Sequence, residues 1–260
     1  MADQMIIGVV GAGAMGSGIA QVASAAGHAV VLYDNSSIQV EQSKNTLQQT
    51  LTKLTEKGKY SIAVADGIFE RITFSENISS LKNCGLIIEA IVENIEIKKA
   101  LFTDLEEIVS ADCVLATNTS SLSITSIAST CKIASRVIGI HFFNPAPIMP
   151  LVEIIPSIST NNSVAVTCKN LIDSWGKTTV IAKDSPGFIV NRVARCFYGE
   201  SIRIYEEGIA DFATIDWAMK TFGGFKMGPF ELMDFIGNDV NFKVTETIWE
   251  QFFYEPRFKP

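Results

Sequence analysis

MIIGVVGAGAMGSGIAQVASAAGHAVVLYD, residues 5–34, decides the fold. Residues 5–10 are a run of Ile and Val of strand length, apolar enough to be buried on both faces, as strands of a parallel sheet are. Gly11-Ala12-Gly13-Ala14-Met15-Gly16 interrupts that run with GxGxxG spacing. Residues 17–26 then read as a helix of small residues ended by Gly27, and residues 29–33 as a second apolar strand. From Met5 to Tyr33 there is no Asp, Glu, Lys or Arg, so a hydropathy scan alone suggests a membrane span or a signal peptide. Glycines at 8, 11, 13, 16, 18 and 27 break any continuous apolar helix, and no basic leader precedes the run. Strand, glycine turn, helix and strand account for the same letters better.

Outward from this unit the alternation continues. Residues 37–57 are polar and helical, residues 86–90 and 114–117 are strand-like, and a helical stretch at 97–109 separates them. Further strands are expected at 137–142, 151–155 and 179–181. Strands alternating with helices imply an α/β fold, a mostly parallel sheet covered on both faces. The pattern stops at Lys183-Asp184-Ser185-Pro186-Gly187. Beyond it only helical patterns follow, at about 188–207, 212–222 and 230–236. Two domains are therefore expected, 1–184 with the sheet and 185–260 smaller, all-helical and rich in Phe. The second is thin for an independent core, which points to packing against something else, such as a second copy.

Composition narrows the function classes. The chain has 260 residues, 47% of them apolar, and a formal net charge of -7. Ample core material excludes a disordered chain, and an acidic balance argues against a nucleic-acid or membrane-surface protein, which needs clustered basic charge. The five cysteines, Cys84, Cys113, Cys131, Cys168 and Cys196, form no CxxC pair and are odd in number. Neither a disulfide framework nor a metal site fits that spacing; a reducing cytoplasm does.

The glycines have separate tasks if the turn binds a dinucleotide. Gly11 permits the tight turn, Gly13 lets the backbone approach a pyrophosphate, and Gly16 lets helix and strand pack closely. The helix N-terminus then offers unpaired N–H groups to the phosphates. Asp34 stands eighteen residues after Gly16, at the end of the second strand. A carboxylate there accepts hydrogen bonds from both ribose hydroxyls and repels a 2′-phosphate, and Asn35-Ser36-Ser37 supplies no arginine to welcome one. NAD is favoured over NADP. The bland alternative is a tight turn with Asp34 as a helix cap.

Two histidines occur in the chain. His28, after Gly27, reads as a solvated turn residue. His141 ends the strand at 137–142, at the sheet edge where ligands gather in open parallel sheets. Glu153 sits among Leu151, Val152, Ile154 and Ile155, where an unpaired charge is costly. A His141–Glu153 pair solves that problem: the carboxylate fixes the imidazole tautomer and stabilises its protonated form. The residues alone leave open a satisfied core histidine and an edge-strand glutamate facing water. Thr117-Asn118-Thr119-Ser120-Ser121 ends another strand and can line the same crevice, or simply cap a helix. Asn191 falls one turn into the helix after Pro186-Gly187, where it is a site residue or a capping amide.

At this point the sequence resembles the 3-hydroxyacyl-CoA dehydrogenase family, most closely its short bacterial 3-hydroxybutyryl-CoA members. The resemblance rests on GAGAMGSGIAQ (11–21), IIEAIVENIEIKK (87–99), NTSSLSIT (118–125), GIHFFNPAP (139–147), LVEII (151–155), DSPGFIVNR (184–192) and MGPFELMDFIG (227–237). It covers almost the whole chain, and HFFNPAP with PGFIVNR is its most specific part. It implies a Rossmann-like domain followed by the helical one, and hydride transfer between carbon 3 of an acyl-CoA and NAD. His141 would be the general base, with Glu153 as its partner, while Ser120 and Asn191 hold the reacting oxygen. Asp34, Glu93, Lys98, Asn118, Ser120 and Asn144 would line the NAD site with Gly11, Gly13, Ala14, Met15 and Gly16. Thr50 and Lys57, with Lys53 and Lys59 nearby and Ser120 at the acyl end, would hold coenzyme A; three lysines so close on an acidic chain suit a phosphate-rich ligand.

Two positions depart from the family pattern: Pro150 stands where Lys is frequent and Thr50 where Ser is frequent. The family also continues past the position of Pro260, through a helix and a glycine-rich basic segment that completes the helical domain, so the chain reads as truncated there. The thin second domain together with the resemblance implies a homodimer, and the cysteine usage and acidic charge add the expectation of a cytoplasmic protein with no metal, no nucleic-acid partner and no membrane. Alternatives are an NAD-dependent dehydrogenase of a free hydroxy or sugar acid and a non-catalytic NAD-binding protein. The second would be expected to lose Ser120, His141, Glu153 or Asn191, and all four are present.

Overall fold

Apolar runs of four to six residues supply a single sheet in the computed structural model, which describes residues 5–260. The strands are β1 (Ile7–Val10), β2 (Val30–Tyr33), β3 (Ile72–Ser75), β4 (Leu86–Glu89), β5 (Val114–Thr117), β6 (Val137–Phe142), β7 (Leu151–Pro156) and β8 (Thr178–Ile181). Their spatial order is β3-β2-β1-β4-β5-β6-β7-β8. Every pairing is parallel except β6 with β7, which is antiparallel. The connection from Phe142 to Leu151 is too short for the helical crossover that a parallel pair needs, so the chain turns straight back. The strand order reverses between β1 and β4, which opens a crevice at their carboxyl ends.

Helices α1 (Ala14–Ala25), α2 (Ser37–Glu56), α3 (Ile62–Glu70), α4 (Ile95–Ile108), α5 (Ile124–Ala128) and α6 (Asn162–Ser174) belong to this unit. Ile7, Val9, Ile19, Leu32, Ile88, Ile140 and Ile154 are buried in its core. Each contributes roughly 1.5–3 kcal/mol by leaving water. The expected strands at the centre of the sheet all form. Several elements escape the pattern reading, β3, α3 and α6 among them. β3 is an edge strand with only Ile72 buried, so it lacks a continuous apolar run. α3 contains Val64 and Gly67, and α6 is rich in Ser, Val, Thr and Asn, all weak helix formers; Ser61 and Asn161 cap them through Val64 N and Ser163 N. His28, read as solvated, is instead buried: its Nδ1 lies 2.9 Å from the Met5 carbonyl and its ring packs against Trp175. Nothing in the local sequence announces Trp175 as its neighbour.

A boundary after Asp184 separates a second unit, Ser185–Pro260. It contains α7 (Val190–Glu206), α8 (Phe212–Thr221), α9 (Pro229–Ile236) and α10 (Asn238–Gln251). Asp216 on α8 accepts the Phe230 and Glu231 amides at 2.9 and 3.0 Å, which caps α9 where Pro229 begins it. Arg195 on α7 is buried and reaches α10, donating to Asn241 Oδ1 at 2.9 Å and Thr245 Oγ1 at 2.8 Å. That anchor helps explain why α10, weak by pattern, is a helix. Trp217, Phe222, Phe235 and Phe242 on this unit are exposed.

The five cysteines are free thiols, and burial pushes Cys84 and Cys131 up to about 11 and Cys113 and Cys168 up to about 12. Cys196 is exposed. Among the described residues no helix is long and apolar enough to cross a membrane, and no group of three His, Cys, Asp or Glu could hold a metal ion.

Candidate active site

The crevice between β1 and β4 is built first by glycines. Gly11 has φ 103°, and a Cβ there would sit 2.6 Å from the Ala90 carbonyl oxygen. A Cβ at Gly16 would overlap the Gly11 carbonyl oxygen, so helix and turn can meet only without one. At Gly13 a Cβ would meet nothing within 4 Å. The middle glycine therefore faces open space above the first turn of α1, whose N-cap carries no capping side chain. Open space beside uncapped helix amides fits a pyrophosphate.

Asp34 follows the end of β2, with Oδ2 accepting the Ala12 amide at 2.8 Å and Oδ1 the Ser36 amide at 2.9 Å. Each oxygen keeps further acceptor capacity for a ribose hydroxyl. The residues present thus fit NAD. Asp34→Ala should weaken NADH binding about tenfold or more, the usual scale for losing hydrogen bonds to a charge. Fluorescence titration measures this; an unchanged dissociation constant would leave Asp34 as a brace for two loop amides only.

The ends of β4 and β5 form the next wall. Glu89, the last residue of β4, is fully buried; its Oε1 accepts Lys98 Nζ at 2.5 Å and its Oε2 accepts Thr117 Oγ1 at 2.7 Å. Lys98 also faces Glu93 Oε2 at 3.4 Å. Glu93 Oε1 in turn accepts Thr119 Oγ1 at 2.5 Å and the Ser120 amide at 3.0 Å. Asn118 bridges to the next strand: its amide donates to the Glu89 carbonyl at 2.7 Å, and its Oδ1 accepts the Phe142 amide at 2.8 Å. Glu93, Lys98, Asn118 and Ser120 are therefore brought together. Glu89 was missed by the sequence reading, although an acid inside Leu-Ile-Ile-Glu-Ala is the same signal that singles out Glu153.

His141 and Glu153 are register partners across the antiparallel β6–β7 pair. Directly opposed residues share a face, and His141 Nδ1 lies 2.7 Å from Glu153 Oε2. Glu153 is 0% exposed and His141 5%. β7 is flanked by β8 as well as β6, so Glu153 is no edge-strand acid facing water. A carboxylate accepts only, so Nδ1 carries the proton and the ring's lone pair is placed on Nε2. The Phe143 ring sits 4.4 Å from the imidazole, centre to centre, and restrains its tilt. Asn144 follows in an exposed loop, and Lys177 steadies that loop by donating to the Ala146 and Met149 carbonyls at 2.6 and 2.9 Å.

The other expected residues are carried by other elements. Thr50 sits on the last turns of α2 with Oγ1 donating to the Thr46 carbonyl at 2.8 Å. Lys53, Lys57 and Lys59 are exposed around the end of that helix, where Gly58 turns the chain with φ 69°. Asn191 is the second residue of α7 in the helical unit.

Comparison with known proteins gives consistent results along the whole chain. The family model described as 3-hydroxyacyl-CoA dehydrogenase, NAD binding domain, matches residues 6–185, and that described as the C-terminal domain of the same family matches residues 187–260. The chain is 43% identical over 260 residues to a 3-hydroxyadipyl-CoA dehydrogenase of Escherichia coli, covering all of this chain but 55% of that protein. It is 42% identical to a 3-hydroxybutyryl-CoA dehydrogenase of Clostridioides difficile, covering 95% of this chain and 88% of the relative. A crystal structure of 3-hydroxybutyryl-CoA dehydrogenase from E. coli K12 superposes with a TM-score of 0.97 at 43% identity, over 99% of this chain and 55% of that one. The chain thus spans about half the length of its E. coli relatives.

Proposed function

The chain belongs to the 3-hydroxyacyl-CoA dehydrogenase family, and we propose that it interconverts (S)-3-hydroxyacyl-CoA and 3-oxoacyl-CoA with NAD, acting on short acyl chains such as the four-carbon one. The observation that carries the reading is the buried His141–Glu153 pair at the carboxyl edge of the sheet whose first crossover bears the glycine turn. NAD, when bound, supplies the hydride acceptor, or as NADH the donor.

The protein's part is proton handling and placement. Glu153 holds the tautomer whose Nε2 takes the proton from the 3-hydroxyl, and it stabilises the imidazolium that results. In the opposite direction the imidazolium returns that proton to the 3-oxo oxygen. Ser120 donates a hydrogen bond to the same oxygen as charge grows on it. Ser120 is held for this role by its amide on Glu93. Thr50, Lys53 and Lys57 take the coenzyme A end, where exposed lysines around a helix end suit phosphates.

The protein acts as a cytoplasmic homodimer through the helical unit. Exposed Trp217, Phe222 and Phe235 support this, since aromatic surface of that extent is unfavourable in water. Light scattering reads the dimer directly, and a monomer at micromolar concentration would end that part of the proposal. The activity is tested by NADH oxidation with acetoacetyl-CoA against free acetoacetate. Turnover of the thioester at least about tenfold above the free acid is expected, because the phosphate-rich carrier adds binding energy that the acid lacks. Equal rates, or no oxidation, would overturn the assignment.

A further inference from the structure

Glu89 is buried, charged and unused by the mechanism above. It ends β4 at the point where the strand order reverses, in register with Val10 on one side and Thr117 on the other. Both carboxylate oxygens are engaged: Oε1 accepts the Ile91 amide at 2.7 Å and Lys98 Nζ at 2.5 Å, and Oε2 accepts Thr117 Oγ1 at 2.7 Å. Lys98 is 1% exposed and lies in the first turn of α4. A cation there is opposed by the positive end of the helix dipole as well as by loss of water. Stability alone is a poor reason for such a pair, because a well-packed apolar pair usually serves as well.

The pair extends toward the site. Lys98 faces Glu93 Oε2 at 3.4 Å, and the other Glu93 oxygen accepts Thr119 Oγ1, the Ser120 amide and Ser120 Oγ, the last at 3.5 Å. Two carboxylates share one ammonium, and the shorter contact is to Glu89. We infer that Glu89 is a positioning residue for the cofactor site: it sets where the Lys98 ammonium stands, and so fixes Glu93 and the loop that carries Ser120. This inference rests on the reading in which Lys98 and Glu93 line the NAD site. Thr117 belongs to the same device, since its hydroxyl orients the Glu89 carboxylate from β5.

A double-mutant cycle on the whole chain tests it, with NADH affinity by fluorescence titration and folding checked by circular dichroism. Lys98→Met and Glu89→Gln are each expected to weaken NADH about tenfold, the scale of a lost charged contact. The double variant should match Lys98→Met within about twofold, because residues acting through one another are not additive. Unchanged affinity in Lys98→Met would overturn the underlying reading of the site. Weakened Lys98→Met beside wild-type affinity in Glu89→Gln would overturn the role of Glu89 alone, and so would fully multiplicative losses. A purely structural Glu89 would lower the melting temperature and leave NADH affinity in place. Should Glu89→Gln not fold, Glu89→Asp keeps the charge and withdraws it by one methylene. A folded Glu89→Asp with wild-type NADH affinity would equally overturn the inference, whereas several-fold weakening would support it.

Discussion

His141→Ala is expected to lower kcat for acetoacetyl-CoA reduction by about 100-fold or more while NADH affinity stays within about twofold of wild type, the split expected when an acid–base group is removed. The split follows from where the ring sits. His141 is on β6, tied to Glu153 on β7, whereas the glycine turn and Asp34 belong to β1, α1 and the end of β2. Alanine therefore removes the proton carrier without touching the ribose acceptor or the uncapped helix amides. It also deprives the buried Glu153 carboxylate of its imidazole contact, so a lowered melting temperature accompanies the loss. His141→Gln separates the two effects, because its amide can still donate toward Glu153 but cannot accept and return a proton near neutral pH. Single-turnover measurement at saturating NADH decides the matter. A glutamine variant that keeps more than about a tenth of wild-type kcat would remove His141 from the mechanism, since acid–base catalysis of this kind is worth about 100-fold at least.

The doubly wound sheet is legible in the sequence wherever burial is two-sided. Val9, Leu86, Ile87, Ile88, Leu115 and Ile138 lie in strands whose residues are covered on both faces, so their letters stay apolar without alternation. β3 has no such constraint because it is an edge, and its letters carry too little signal. Glycine spacing is equally informative for a steric reason: Gly11 and Gly16 stand where a Cβ collides with main-chain oxygen, while Gly13 stands where a Cβ meets nothing. Buried acids are legible by their apolar flanks, and that logic applies to Glu89 as much as to Glu153. What the sequence conceals is partnership at a distance. Nothing near Lys98 announces that it bridges Glu89 and Glu93, or that the Thr117 hydroxyl donates to Glu89 from the neighbouring strand. Nor do the letters around His28 reveal Trp175 as its neighbour. Such contacts are products of register and crossover, which the chain acquires only once the sheet has formed.

Register also underlies the second large effect, at Glu153. Glu153→Gln should reduce kcat by about 100-fold or more and leave the melting temperature within a few degrees, the range that a change of about 1 kcal/mol produces in a domain of this size. The substitution preserves volume and replaces a buried anion with a neutral amide, so no unpaired charge is created at this fully buried position. Catalysis loses two things at once. An amide NH2 can donate to Nδ1, which moves the ring proton to Nε2 and removes the lone pair from the nitrogen that must take the hydroxyl proton. The imidazolium formed in alcohol oxidation also loses the charge that offsets its own. Because both losses act through the imidazole, Glu153→Gln added to His141→Ala should cost less than about twofold beyond the single His141 variant. A further drop of tenfold or more would mean that Glu153 serves the reaction by a route that bypasses the ring. A Glu153→Gln enzyme that keeps wild-type turnover would reduce the 2.7 Å contact to packing between two strands.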